Sequence, residues 1–157
     1  VFKNTFADSI NIINTNMTNI TGSVMNLDLE TEDLGIYNVE NVKILNSSFT
    51  DVEGAIANIY RGGTDESTFG PIVEINDISI TNSGNGRRNR TSATLRFHGV
   101  QRLDISNSEW NDSAPIDLYL TNGEPITTIS DLHLINTPSI KSNNSEYTSS
   151  NVRRSRQ

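Results

Sequence analysis

The sequence predicts an all-β fold: a single-stranded right-handed parallel β-helix of about five coils, stiffened by an asparagine ladder. Three observations carry that prediction. Aliphatic and polar residues alternate in short runs, the pattern of a strand with one buried face. Each run ends on an asparagine, and the asparagines recur at spacings of 32, 36, 25 and 29 residues. No segment shows a helical period. A short strand that returns in this way is one coil of a solenoid, in which each coil buries the apolar face of its neighbour.

The runs are Ile10-x-Ile12-x-Asn14, Val42-x-Ile44-x-Asn46, Ile78-x-Ile80-x-Asn82, Leu103-x-Ile105-x-Asn107 and Leu132-x-Leu134-x-Asn136. A hydroxyl residue accompanies each asparagine, at Thr15, Ser47, Ser83, Ser108 and Thr137. Between the runs stand further strand-like segments: Val24-Met25-Asn26-Leu27-Asp28-Leu29, Ile56-Ala57-Asn58-Ile59-Tyr60, Ala93-Thr94-Leu95-Arg96-Phe97 and Ile116-Asp117-Leu118-Tyr119-Leu120. Each coil therefore has at least two strands with corners between them. Asparagine suits a corner because it tolerates the left-handed backbone region. Stacked coil on coil, its amide also bonds to the amide above and below. Asn14, Asn46, Asn82, Asn107 and Asn136 are the expected ladder, in one column. A leucine-rich horseshoe is the competing solenoid, but leucine does not dominate and no helical half-repeat exists.

Two loops interrupt the repeat. Residues 61–71 hold Gly62-Gly63 and Gly70-Pro71, and residues 83–91 are rich in glycine and arginine. Long solenoid loops tend to gather on one working side, and both are expected there. From residue 142 onward no period is visible. The domain reading is residues 1–141 as the β-helix, a fragment of a larger protein, and residues 142–157 as a polar, disordered tail.

Composition narrows the function. The formal charge is −7, which disfavours nucleic acid as a partner, although Arg87, Arg88 and Arg90 cluster, as do Arg153, Arg154 and Arg156. No apolar run is long enough for a membrane helix, so no membrane partner is expected. Cysteine is absent, which removes disulfides and thiolate metal sites. No phosphate-binding glycine loop, catalytic-triad motif or zinc spacing is present.

The candidate binding residues are Tyr60, Arg61, Asp65, Glu66, Arg96, His98 and Tyr119. In the loop after Tyr60, Arg61 suits a sugar carboxylate, and Asp65 with Glu66 suits a cation. The bland alternative is a loop in which Arg61 pairs with one of those acids. Arg96 and Tyr119 fall on outward positions of the second strands, expected beside Asn58 and Asp28 of the neighbouring coils. His98, at a strand end, and His133, outward between Leu132 and Leu134, are the two histidines available as a base. Lys43 also points outward. No residue is assigned as catalytic or metal-binding.

The stretch Ala57-Asn58-Ile59-Tyr60-Arg61-Gly62-Gly63-Thr64-Asp65-Glu66-Ser67-Thr68-Phe69-Gly70-Pro71, with Ile36-Tyr37-Asn38-Val39-Glu40-Asn41-Val42 before it, resembles polysaccharide lyase family 6. These are alginate lyases and chondroitinase B-like enzymes. The resemblance is to the C-terminal β-helix domain of the two-domain alginate lyases and covers roughly residues 1–140. It implies a parent that cleaves uronate polysaccharides such as alginate by β-elimination. There, Ca²⁺ neutralises the uronate carboxylate, a lysine acts as base and an arginine assists as acid. Those groups belong to an N-terminal catalytic β-helix, and this chain has no matching set. The resemblance therefore implies a domain without cofactor that supports the fold, the substrate groove or a homodimer contact. It further implies a bacterial, secreted or periplasmic protein. The alternative reading is a non-catalytic carbohydrate-binding or structural β-helix, such as an adhesin stem.

Overall fold

The computed structural model describes residues 2–3, 7–29, 39–61, 71–119, 126–142 and 146–157. Within them the strands are β1 (Phe2–Lys3), β2 (Ala7–Ile13), β3 (Asn16–Ile20), β4 (Met25–Leu29), β5 (Val39–Val52), β6 (Ala57–Arg61), β7 (Ile72–Thr81), β8 (Leu95–His98), β9 (Arg102–Asn111), β10 (Ile116–Tyr119), β11 (Ile126–Ile135), β12 (Lys141–Ser142) and β13 (Thr148–Ser155). No helix occurs among the described residues. One sheet runs β1-β4-β6-β8-β10-β12, and the other β13-β11-β9-β7-β5-β2 with β3 also on β5. The strand pairs within both sheets are parallel. The chain thus visits each sheet once per coil, and the fold is the parallel β-helix that the alternation predicts. The four intervening strand segments stand where expected, as β4, β6, β8 and β10.

The inward positions stack in columns. Ile12, Ile44, Ile75, Ile105 and Ile129 are in register across five coils, and each is nearly or fully buried. Met17, Phe49, Ile80, Trp110 and Leu134 form another column. Full burial of one such side chain stabilises the fold by about 1.5–3 kcal/mol. Trp110 is wholly buried, and its indole N–H donates to Thr94 Oγ1 at 2.8 Å. The aromatic body fills the core while its one polar atom is satisfied.

The corners correct the sequence reading. The register places Asn14, Asn46, Asp77, Asn107, Asp131 and Asn151 in one column, with φ of 52, 48, 55, 48, 50 and 52°. A second column holds Asn19, Asp51, Asn82, Asp112 and Asn136, with φ of 56, 56, 46, 49 and 47°. The expected ladder is therefore two ladders: Asn14, Asn46 and Asn107 belong to the first, Asn82 and Asn136 to the second. In the third and fifth coils the first corner is an aspartate, so a pattern keyed on asparagine moved on to the next bend. From Asn46 and from Asn19 onward, amide and acid alternate. Adjacent carboxylates at rung spacing would repel, whereas an amide between two acids has N–H groups to donate. Asn82 Nδ2 donates to Asp51 Oδ1 at 2.6 Å, and Asn151 Nδ2 to Asp131 Oδ1 at 2.5 Å.

The hydroxyl residues after the corners tie coil to coil. Ser83 Oγ donates to Thr81 O at 2.7 Å and accepts from Val52 N–H of the preceding coil at 3.1 Å. Ser83 N–H in turn donates to Ser113 Oγ at 3.1 Å, and Ser113 N–H to Thr137 Oγ1 at 3.2 Å. All three side chains are buried. Ser47 and Ser108 repeat the arrangement toward Thr15 N–H and Ile78 N–H. These side chains satisfy backbone groups that the bend would otherwise strand.

The loop of residues 83–91 joins β7 to β8, while the other expected loop, between β6 and β7, lies outside the described residues. One further expectation is corrected. Within the expected disordered tail, Thr148–Ser155 form a strand. β13 pairs with β11 from Thr128↔Thr148 to Ile135↔Ser155 and adds a rung. The inward columns continue there as Ser149 on Ile129 and Arg154 on Leu134, and only Tyr147 and Val152 pack on the core. With its aliphatic alternation gone, this strand carries no apolar signature to read.

Candidate functional site

The outward face of the sheet containing β6, β8 and β10 gathers the chemistry. Two columns lie side by side on it. One holds Asn26, Asn58, Arg96, Asp117 and Lys141, the other Tyr60, His98 and Tyr119. They are neighbours because strand residues two apart share a face.

In the second column the His98 ring lies 4.5 Å from that of Tyr60 and 4.9 Å from that of Tyr119, tilted by 31° and 52°. The Arg96 guanidinium carbon stands 5.5 Å from the Tyr60 ring centroid, within cation–π range. Arg96 Nε is 4.0 Å from Asp117 Oδ2, the outer limit of an ion pair. Asn58 Nδ2 donates to Asn26 Oδ1 at 2.6 Å. Its own Oδ1 is buried and has no hydrogen-bond partner among the described residues.

His98 and Asn58 face outward, yet they are only 6% and 4% exposed. Burial pushes the His98 imidazole below its usual range, and the Arg96 charge pushes it the same way. His98 is therefore a neutral ring between two phenols. The ring faces are spent on one another along the column, so hydroxyl edges and the guanidinium are what the face offers. Such a surface suits an anionic polyol: a cation for carboxylate and a row of donors and acceptors for hydroxyls.

Four of the seven expected binding residues, Tyr60, Arg96, His98 and Tyr119, come together on this face. One detail differs: Tyr119 sits in register with His98, not beside Asp28. Arg61 ends β6, paired with Leu29; its side chain, with Asp65 and Glu66, lies outside the described residues. His133 stands on the other sheet, as does Lys43, whose Nζ is 3.0 Å from Glu74 Oε2. Asn58 and Asp117 were not anticipated as site residues. Their outward strand positions, next to Tyr60 and Tyr119, were the available signal.

No protein-family model and no curated protein matches this chain. Among solved structures, the PL6 family alginate lyase AlyGC superposes with a TM-score of 0.89 at 42% sequence identity, over 95% of this chain and 21% of that one. The chain is a PL6-like β-helix. An arginine-to-alanine variant of the same enzyme gives a TM-score of 0.82 at 42% identity, over 92% of this chain. This PL6-like chain spans 21% of the length of that enzyme.

Proposed function

We propose that this chain is the C-terminal β-helix domain of an alginate-lyase-like polysaccharide lyase. It binds the uronate polymer and does not itself break the glycosidic bond. The observation that carries the reading is the Tyr60–His98–Tyr119 stack with Arg96 against it, on a fold 42% identical to a PL6 alginate lyase.

β-Elimination needs the uronate carboxylate neutralised, a base at the neighbouring ring proton and an acid at the leaving oxygen, all on one face. In this chain Lys43 and Arg96 stand on different sheets, and Lys43 is engaged by Glu74. Among the described residues no three His, Asp or Glu side chains gather closely enough to hold a metal ion. The Ca²⁺-dependent step accordingly belongs, in this reading, to an N-terminal β-helix of the parent. Arg96 takes a uronate carboxylate by exchanging its long contact with Asp117, and the two phenols meet the sugar hydroxyls. A homodimer contact through this domain and a bacterial parent, secreted or periplasmic, complete the proposal. A polymeric substrate is met outside the cell.

The test is calorimetric titration of the chain with alginate oligosaccharides, alongside ultraviolet detection of unsaturated product. Binding without turnover is expected. Arg96→Ala should weaken binding by about tenfold or more, the worth of a charge-assisted hydrogen bond. Turnover by this chain, equal binding of a neutral glucan, or wild-type affinity in Arg96→Ala would each overturn the proposal. Indifference to every polysaccharide would leave the structural stem as the better reading.

A further inference from the structure

We propose that Glu109, His133 and Ser155 form a nucleophilic relay that hydrolyses acyl esters of carboxylate-bearing sugars. The site lies on the sheet opposite the Arg96 face and acts on esters, not on glycosidic bonds; the relay stands on its own geometry, and only the sugar class rests on the reading above.

The three residues come from successive rungs. Glu109 on β9 is in register with His133 on β11, which is in register with Arg153 on β13. Ser155 stands two residues beyond Arg153, on the same outward face. His133 Nδ1 is 3.5 Å from Glu109 Oε2, and His133 Nε2 is 3.0 Å from Ser155 Oγ. A carboxylate on one imidazole nitrogen and a hydroxyl on the other is the arrangement of nucleophile, base and orienting acid. Exposed pairs of this kind add little to stability, so the fold does not demand their alignment.

The surroundings supply room and charge. A groove of about 600 Å³ runs along the corner and reaches Glu109, Asp131 and His133. A second cleft of about 550 Å³ is lined by Asn136, Thr137, Arg154, Ser155 and Arg156. Both have the size of small-ligand sites. Ser155 lies in a cleft with two arginines, in a chain whose net charge is −7. Arg153, two residues before Ser155 on the same outward face, adds a cation at this end of the relay, and the positive charge there selects an anionic sugar.

The chemistry balances without a co-reactant other than water. With its proton on Nδ1, on the side of Glu109, the imidazole leaves Nε2 to accept the Ser155 hydroxyl proton as Oγ attacks the ester carbonyl. The bond from carbonyl carbon to sugar oxygen breaks, and the sugar hydroxyl leaves with the proton from His133. Water then adds to the acyl-serine, again giving its proton to His133. The proton returns to Ser155 Oγ as the carboxylic acid departs. Ser155 and His133 are the catalytic residues, and Glu109 is a positioning residue.

The experiment is labelling of the chain with a fluorophosphonate probe, mapped by peptide mass spectrometry, together with acetate release from an O-acetylated polyuronate. The label is expected on Ser155. His133→Ala should slow labelling by about 100-fold, the lower range for a general base, while Ser150→Ala in the same strand changes nothing. Glu109→Gln should lower kcat for acetate release and leave KM unchanged. Circular dichroism of each variant confirms the β signal. Labelling at another serine, or at the wild-type rate in His133→Ala, overturns the relay. Equal acetate release from a neutral acetylated glucan overturns the assigned sugar class.

Discussion

Asn82 donates its side-chain amide to the carboxylate of Asp51 one coil earlier, at 2.6 Å, and both residues hold a left-handed backbone, with φ of 46° and 56°. The same two side chains thus make the bend and bridge neighbouring coils. Replacing Asn82 by aspartate keeps the bend but places three acids in succession, at positions 51, 82 and 112. Asn82→Asp is expected to lower Tm by about 2–4 °C per kcal/mol of repulsion. The deficit should shrink in high salt and again when acid protonates the carboxylates. Thermal melts at two ionic strengths and two pH values check it.

Gly22 and Gly54 stack at the same corner, and Gly54 N–H donates to Gly22 O at 3.2 Å. A Cβ on Gly54 would stand 2.6 Å from Gly22 C and from Ser23 N, whereas a Cβ on Gly22 would meet nothing within 4 Å. Gly54→Ala should therefore push two coils apart and cost about 1–3 kcal/mol. Gly22→Ala should be neutral or slightly stabilising. Urea unfolding of the pair measures the difference.

The buried bond from Trp110 to Thr94 gives a second stability test. Trp110→Phe keeps most of the apolar volume and removes the indole N–H, for an expected loss of about 1–3 kcal/mol. Trp110→Ala should lose about 3–5 kcal/mol. Chemical denaturation followed by far-ultraviolet dichroism resolves both, since the chain's one tryptophan is the residue removed.

His98 links stability to pH. Its folded pKa lies below the unfolded value, because burial and then Arg96 disfavour the charged ring. The unfolded chain therefore binds the extra proton first as acid is added. The contribution of neutral His98 is complete above the unfolded imidazole pKa and declines as pH falls below it toward the folded one. Tm should drop between about pH 7 and pH 5, and His98→Gln should flatten that slope. An unchanged slope in the variant would remove His98 as its source.

The strands and their inward faces were legible because aliphatic alternation is local. Ile12, Ile44, Ile75 and Ile105 announce the same face in four coils without reference to one another. The corners were half legible. Asparagine and aspartate serve the left-handed bend equally, so counting only asparagine merged two columns. β13 escaped notice because Ser149 and Arg154 occupy inward positions that earlier coils fill with isoleucine and leucine. Side-chain partners across coils were the least legible part. Tyr60 and His98 touch because of the lengths of the loops between them, and those lengths, not the strand pattern, decide which outward residues meet. Glu109, His133 and Ser155 were missed for a related reason. Motif searches look for fixed local spacings, whereas these residues are separated by whole coils.

The alternation at the bends also sets a rule of parity for anyone who lengthens or shortens this scaffold. Excising one turn, or duplicating one, joins two members of the same kind, acid to acid or amide to amide. Moving two turns together preserves every junction. The natural module for grafting is thus a doublet, although each turn on its own looks complete.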